Sequence, residues 1–91
     1  SYYADLAVMS CRGLDFSQGV TETHEGEAMV KKAFRKQSDR LAVLVTQQKI
    51  AHKFMHQAIA FHEIDYLVTS KELTKEQYAK VKEHHIECLY G

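Results

Sequence analysis

Three short polar stretches carry the side chains of this sequence that could bind a small molecule. They read CRG from residue 11, TQQK from residue 46 and TSK from residue 69, and each follows an apolar run. Hydroxyls, amides, a cation and a glycine that admits close backbone approach suit a phosphorylated or polyhydroxylated ligand. The alternative is that these stretches are polar only because loops are exposed to water.

A pair of histidines offers a different chemistry. His52 and His56 are four residues apart, the spacing at which two histidines of a zinc protease helix bind the metal. Lys53 stands where such a motif has its glutamate base, and no third ligand is apparent near the pair. We therefore expect surface histidines, with no metal and no other cofactor.

The elements that must position these residues alternate along the chain. Four apolar runs predict strands, and the segments between them predict helices, which together give a β-α-β-α-β-α-β order. That order is typical of an α/β domain with a parallel sheet, in which ligands bind at the carboxyl ends of the strands. The predicted strands are Asp5–Cys11, Arg40–Val45, Asp65–Ser70 and Ile86–Tyr90.

Each predicted helix has its own signal. Residues 24–39 place apolar side chains on one side and lysines on the other, with acids in the first turn and bases in the last. Residues 50–61 repeat apolar side chains at helical spacing, and Thr74 with Gln77 three residues later forms a capping box. The apolar sets are Met29, Val30, Ala33 and Phe34 in the first helix, and Ile50, Ala51, Phe54, Met55, Ala58 and Phe61 in the second.

Composition limits the class of protein. Residues 1–91 are enough for one domain, and twelve basic side chains balance twelve acidic ones, which argues against nucleic acid or an anionic membrane as partner. The basic cluster around Lys31 and Arg35 has no interleaved aromatic residues, so a solvated helix face is expected there. Cys11 and Cys88 lie in apolar runs, as reduced thiols in the cytoplasm do.

Four parallel strands make a thin domain, because the first strand begins almost at once and nothing precedes it to cover the sheet. We therefore expect a part of a larger domain or a homo-oligomer that supplies the missing cover. Tyr2, Tyr3 and the first strand are the candidate contacts for such self-association.

Four segments resemble one bacterial family in order and spacing. They are CRGLDFSQGVT, EGEAMVKKAF, RLAVLVTQQK and EIDYLVTSKELT. Together they are similar to roughly the second half of the C-terminal sensor domain of DeoR-type sugar-responsive transcriptional repressors. The resemblance implies a ribose-phosphate-isomerase-like fold that binds a phosphorylated sugar-type effector. It also implies that DNA is bound only through a winged helix-turn-helix domain outside these residues.

The resemblance orders the candidate effector-binding residues. Lys49 comes first, as a cation facing a phosphate or sugar hydroxyl, although Thr46-Gln47-Gln48 replaces the family's Asp-Ser-Ser/Thr before it. The third strand likewise ends Thr69-Ser70 where the family has Thr-Asp. The full expected set is Lys49, Gly13, Thr46, Gln47, Arg12 and Glu27.

An enzyme is the alternative function. A sugar-phosphate isomerase of this fold needs a carboxylate base and a donor that stabilises the enediolate. Glu25 or Glu27 could be the base and Lys49 the donor, but glutamates also favour a helix N-terminus without any catalytic role. We expect a sensor that binds its phosphosugar without turning it over.

Overall fold

A computed structural model describes residues 3–91 of the chain. Of these residues, more lie in strands than in the two α-helices and the two short 3-10 turns, Gln47–Lys49 and Phe61–Glu63. No helix within these residues is long and apolar enough to cross a membrane. In chain order the elements are β1 (Ala4–Ser10), β2 (Gly13–Asp15), β3 (Gly19–Glu22), α1 (Glu25–Lys36), β4 (Ser38–Val45), β5 (His56–Ile59), β6 (Tyr66–Thr69), α2 (Lys75–Glu83) and β7 (Glu87–Tyr90).

The predicted parallel sheet is confirmed. Its four strands lie in the order β1-β4-β6-β7, and every neighbouring pair is parallel. The order in space is therefore the order in which these strands occur along the chain. All four carboxyl ends point to one edge of the sheet, where the polar stretches after β1, β4 and β6 lie.

A second, antiparallel sheet of three strands was not predicted. Its order is β2-β3-β5, and a tight turn joins its first two strands. Asp15 closes this turn, because one carboxylate oxygen accepts hydrogen bonds from the Ser17 backbone N–H (3.0 Å), the Ser17 hydroxyl (2.7 Å) and the Gln18 backbone N–H (2.7 Å). Gly19 follows with a φ of 96°, which L side chains rarely adopt.

The helix predicted over residues 50–61 is wrong. Ile50 is extended and forms a parallel bridge to Leu14, and Ala51 adopts a left-handed φ of 65°, so the chain cannot continue as a helix. Residues 56–59 form β5 instead, which pairs with β3 and buries Ala58 and Ile59. Apolar residues at helical spacing were compatible with both conformations, and pairing with distant strands favours the extended one.

The first and third predicted helices are confirmed as α1 and α2. In α2 both hydrogen bonds of the capping box are present, from the Gln77 backbone N–H to the Thr74 hydroxyl (3.1 Å) and from the Thr74 N–H to the Gln77 side chain (3.0 Å). In α1 the acids of the first turn are Glu25 and Glu27, and the bases of the last turn are Arg35 and Lys36, as the helix dipole favours.

Helix α1 packs on the protein through the face that was expected to be solvated. Ala28 is buried, and Lys31 and Arg35 on the same stripe are half-buried. Arg35 donates to the carbonyls of Glu63 (3.0 Å) and Ser38 (2.9 Å), which ties the helix to the 3-10 turn Phe61–Glu63 and to the start of β4. The predicted solvated role of Lys31 and Arg35 is therefore wrong, and the apolar face remains outside: Met29, Val30 and Phe34 are 55 to 62% exposed.

The parallel sheet is covered on one face only. Side chains alternate along a strand, so Leu41, Val43 and Leu67 point toward the helices and are fully buried. The alternate residues form an open face with large side chains 42 to 58% exposed: Leu6, Val8, Leu44 and Leu89. The nearly continuous apolar run of β4 predicts a strand covered on both faces, and this prediction is wrong for Leu44, which is 43% exposed. The expected uncovered sheet is present.

Candidate functional site

Cys11, the residue that follows β1, lies among the charged side chains of Glu22, Lys31 and Lys49. Cys11 is buried, with 2% of its surface exposed. Burial raises the pKa of its thiol to about 11, against the opposite effect of the Lys31 and Lys49 cations and with a further raising effect of the Glu22 carboxylate. The thiol is therefore protonated at neutral pH, and it packs in the core without acting as a nucleophile.

A buried ion pair lies beside this cysteine. The Glu22 side chain at the end of β3 is fully buried, and its Oε2 lies 2.7 Å from the Lys31 ammonium of α1. The same Oε2 accepts a hydrogen bond from the Arg12 backbone N–H at 3.2 Å, and Lys31 Nζ also donates to the carbonyl of Ser10 at 2.6 Å. These contacts tie the helix, the end of β1 and the end of β3 to one another.

The stretch after β4 brings a second cation to the same place. Lys49 ends a 3-10 turn that begins directly after the strand, and its backbone N–H donates to the Thr46 carbonyl at 3.0 Å. Its side chain is half-buried and close enough to influence the Cys11 thiol, and its ammonium has no hydrogen-bond partner among residues 3–91. Thr46 and Gln47 are exposed at the start of this turn. The structure therefore places Lys49 just after the end of β4, close enough to Cys11 to influence its thiol, and its role in ligand binding stays a prediction.

Packing against a neighbouring segment requires a glycine at position 13. A Cβ at this position would lie 2.6 Å from the His52 carbonyl oxygen and 2.9 Å from the Phe54 ring. The segment that carries His52 and Phe54 is held there by a hydrogen bond from the Phe54 N–H to the Thr21 hydroxyl at 3.0 Å. Packing of this segment alone accounts for the glycine, and a role of Gly13 in ligand contact stays a prediction.

Of the remaining residues, Arg12 and Glu27 lie at the surface, whereas Thr69 is buried. The Arg12 side chain is exposed, and only its backbone N–H takes part in the Glu22 contacts. Glu27 is exposed in the first turn of α1. At the third strand end the Thr69 hydroxyl donates to the Lys71 carbonyl at 2.7 Å, so this side chain is already used in the local turn.

The two histidines do not share a helix. His52 lies in an extended segment and stacks on the Phe54 ring with 6.4 Å between ring centres, whereas His56 begins β5. Within residues 3–91 no group of three potential metal ligands is present.

Glu22 and Lys31 were missed as site residues. A rule that searches the carboxyl ends of parallel strands does not reach them, because Glu22 ends an antiparallel strand and Lys31 lies within a helix. One signal was available in the sequence. Glu22 follows directly on the apolar part of the run GVTE, so an acidic side chain ends a strand whose residues are all buried. The pairing of β3 with β5 was needed to see that the carboxylate is buried.

An open groove adjoins the ion pair. It lies between β1 and α1 and has a volume of about 510 Å³, within the usual range for small-molecule sites. Lys31 and Ser10 form its polar end. Its other walls are mainly apolar: Ala4, Ala7, Val8, Met9, Val30, Phe34 and Ser38.

Comparison with known proteins identifies the family of this chain. The family model of the DeoR C-terminal sensor domain matches residues 1–71. The chain belongs to this family. The expected resemblance is therefore confirmed over residues 1–71.

Relatives with curated names are transcriptional regulators. The HTH-type transcriptional repressor GlcR of Bacillus subtilis is 30% identical over 71 residues, which are 78% of this chain and 27% of the repressor. The HTH-type transcriptional regulator GolR of Listeria innocua is 26% identical over 81 residues, 89% of this chain and 32% of the regulator. The chain thus spans about a third or less of the length of these relatives.

Proposed function

We propose that this DeoR-family chain is the effector-binding part of a cytoplasmic transcriptional regulator and that its effector is a phosphorylated sugar or a related metabolite. DNA would be bound through a helix-turn-helix domain outside residues 1–91, as the names of the relatives describe for those proteins. The observation that carries the proposal is the family match, which includes the cationic strand end at Lys49.

The charge arrangement supports a phosphate-bearing ligand. Lys49 offers an ammonium without a protein partner among the residues that the structure describes, next to the backbone of the turn after β4. A cation at the carboxyl end of a parallel strand is well placed for an anionic ligand in an α/β fold. Thr46 and Gln47 add exposed hydrogen-bonding groups within the same turn, and Arg12 lies across from them after β1.

Thermal unfolding with a panel of phosphosugars tests this proposal. A ligand at a hundredfold excess over its Kd stabilises the folded state by about 2.7 kcal/mol. For a domain of this size that corresponds to a rise in Tm of roughly 10 to 20 °C. We expect one class of phosphosugar to raise the Tm, Lys49→Ala to abolish the rise, and the matched surface variant Lys32→Ala to preserve it. Absence of any rise across the panel would refute the proposal.

An isomerase is the less favoured function. Glu25 and Glu27, the candidate bases, lie exposed in the first turn of α1, where they stabilise the helix dipole. The relatives carry the names of regulators. Incubation with the phosphosugar that stabilises the chain, followed by product analysis, should therefore detect no conversion.

The open face of the parallel sheet supports self-association. Parallel sheets are almost always covered on both faces, and here one face leaves Leu6, Val8, Leu44 and Leu89 exposed. The same face carries opposite charges in Arg40 and Glu87, so a second copy can match both its apolar and its charged parts. We therefore propose a homodimer that packs through this face. Tyr3 at its margin is exposed, and Tyr2 lies outside the described residues.

Sedimentation velocity tests the dimer. The mass derived for the wild-type protein should be twice that of a single chain. The Leu44→Glu variant should have the mass of a single chain, because the substitution places a charge in the interface. Met55→Glu is the matched control, since Met55 is 87% exposed and lies away from this face. A monomeric wild-type chain, or a Leu44→Glu variant that stays dimeric, would contradict the proposed interface.

A further inference from the structure

The Glu22–Lys31 ion pair has unused hydrogen-bonding capacity on both partners. Glu22 Oε1 is buried and has no hydrogen-bond partner within residues 3–91, although Oε2 of the same carboxylate has two. A lysine ammonium has three hydrogens, and Lys31 Nζ uses two of them, toward Ser10 and Glu22. The pair therefore has one free acceptor and one free donor.

A free buried carboxylate oxygen needs an explanation. Buried polar atoms are nearly always hydrogen-bonded, since leaving a charged acceptor without a donor costs free energy. Holding β1, β3 and α1 together requires only Oε2, because both of the hydrogen bonds that this carboxylate accepts end on that oxygen. The structural role of Glu22 thus leaves Oε1 available for a donor from outside the chain.

The position of the pair gives such a donor a route. Lys31 and Ser10 line the polar end of the groove between β1 and α1, and Glu22, which does not itself line the groove, has its Oε2 2.7 Å from Lys31 Nζ. The Lys31 side chain is 18% exposed, so it marks the boundary between the groove and the buried carboxylate. A ligand group that reaches this boundary meets the Lys31 donor directly, and a shift of the Lys31 side chain would open the way to the buried Glu22 Oε1.

We propose that Glu22 and Lys31 bind a hydroxyl group of the effector, with Oε1 accepting its hydrogen and Lys31 Nζ donating to its oxygen. A hydroxyl is the common ligand group that both donates and accepts. The inference rests on the proposed function and gives the bound effector a direction. Its sugar hydroxyls lie toward Glu22, whereas its phosphate lies toward Lys49, because like charges repel a phosphate from a carboxylate.

Binding measurements with three kinds of probe test this assignment. The probes are inorganic phosphate, butyl phosphate, which lacks hydroxyls, and a panel of ribose 5-phosphate, glucose 6-phosphate and fructose 6-phosphate. We expect wild-type protein to bind one sugar phosphate at least about tenfold more tightly than the other two kinds, as one hydrogen bond to a charged group provides. Butyl phosphate should bind no more tightly than inorganic phosphate.

Two variants locate the contribution in the protein. Glu22→Gln keeps the shape of the side chain but presents an amide N–H₂, which cannot accept a hydrogen bond, in place of one oxygen. It should remove the tenfold preference for the sugar phosphate and leave the Kd of inorganic phosphate unchanged. Lys49→Ala should weaken both ligands, and the exposed Glu83→Gln should change neither.

Each outcome separates this inference from the function on which it rests. If a sugar phosphate binds and Glu22→Gln binds it equally well, the hydroxyl assignment is wrong and the sensor function stands. If butyl phosphate binds wild-type protein as tightly as the sugar phosphate, the assignment is also wrong, and this arm does not depend on whether the Glu22 variant folds. If no phosphate ester binds wild-type protein, both proposals are wrong.

Discussion

Replacement of Gly19 by alanine should be among the most damaging single-methyl changes in this protein. The residue has a φ of 96°, and it begins β3 directly after the turn that Asp15 closes. A Cβ at this position would lie 2.1 Å from the Ile59 carbonyl oxygen, 2.5 Å from the Phe61 nitrogen and 2.7 Å from the Ala60 carbonyl carbon. All three atoms belong to the backbone, so no side-chain rotation can relieve the contact.

The expected loss has two parts. A left-handed backbone costs an alanine about 1–2 kcal/mol more than a glycine. Forcing an extra carbon into packed backbone costs about 1–3 kcal/mol more, which gives a total of about 2–5 kcal/mol. Since domains of this kind are stable by about 5–15 kcal/mol, the loss is a large fraction of the total. It corresponds to a fall in Tm of roughly 10 to 40 °C.

Gly26→Ala is the matched control. Gly26 lies in the first turn of α1, and nothing lies within 4 Å of the position that a Cβ would take there. The same methyl group should therefore raise stability by up to about 1 kcal/mol through helix propensity. Differential scanning fluorimetry of both variants measures the contrast. A Gly19→Ala variant that melts within about 2 °C of wild-type protein would refute the packing argument for the β2–β3 turn, since at least 2 kcal/mol is expected.

Two further predictions concern local hydrogen bonds. Burial alone would raise the pKa of Asp15, but hydrogen bonds from Gln18 and Ser17 lower this pKa below its usual value. The ionised carboxylate therefore stabilises the folded state above about pH 4. This contribution disappears as the pH falls through the lowered pKa. Asp15→Asn should therefore reduce the urea midpoint at pH 7, and the difference from wild-type protein should shrink at about pH 2–3; a constant difference would contradict the role of the charge. Thr74→Ala removes the N-cap of α2 and should cost about 0.5–2 kcal/mol in urea unfolding, whereas Thr23→Ala in the exposed segment before α1 should cost little.

Local chemistry accounts for the parts of the fold that were predicted correctly. The Thr74–Gln77 capping box is specified by residues within one turn, and its two hydrogen bonds form as expected. The four parallel strands are short apolar runs whose partners come next in the sheet order. Both features can therefore be recognised within short stretches of sequence.

Long-range contacts account for the parts that were not. Residues 50–61 satisfy a helical pattern, but the bridge from Ile50 to Leu14 and the pairing of β5 with β3 select an extended chain. The face of α1 was reversed for a related reason. Arg35 is drawn inward by carbonyls of Ser38 and Glu63, and the second of these is 28 residues away. No local pattern could have indicated that acceptor.

The candidate site divides in the same way. Lys49 was proposed because it follows a predicted strand, where this kind of fold binds ligands, and because the family resemblance includes a lysine there; its role stays a prediction. Glu22 and Lys31 could be recognised only when β3 and α1 were placed against the end of β1. The residues with unused hydrogen-bonding capacity therefore include two that strand-end reasoning cannot reach.

The proposed effector site and the proposed dimer interface are centred on opposite faces of the parallel sheet and share only Val8, which lines the groove and also lies on the open face. Lys31 belongs to α1, which covers one face of the parallel sheet, and Leu44 points to the opposite, open face. A dimer formed through the open face would meet the groove at Val8, whereas Lys31 lies on the helix side of the sheet. Leu44→Glu should then change the sedimenting mass without changing the phosphosugar Kd, while Glu22→Gln should do the reverse. If Leu44→Glu also weakened the phosphosugar, the two surfaces would be coupled, and the one-sided sheet would contribute to sensing as well as to assembly.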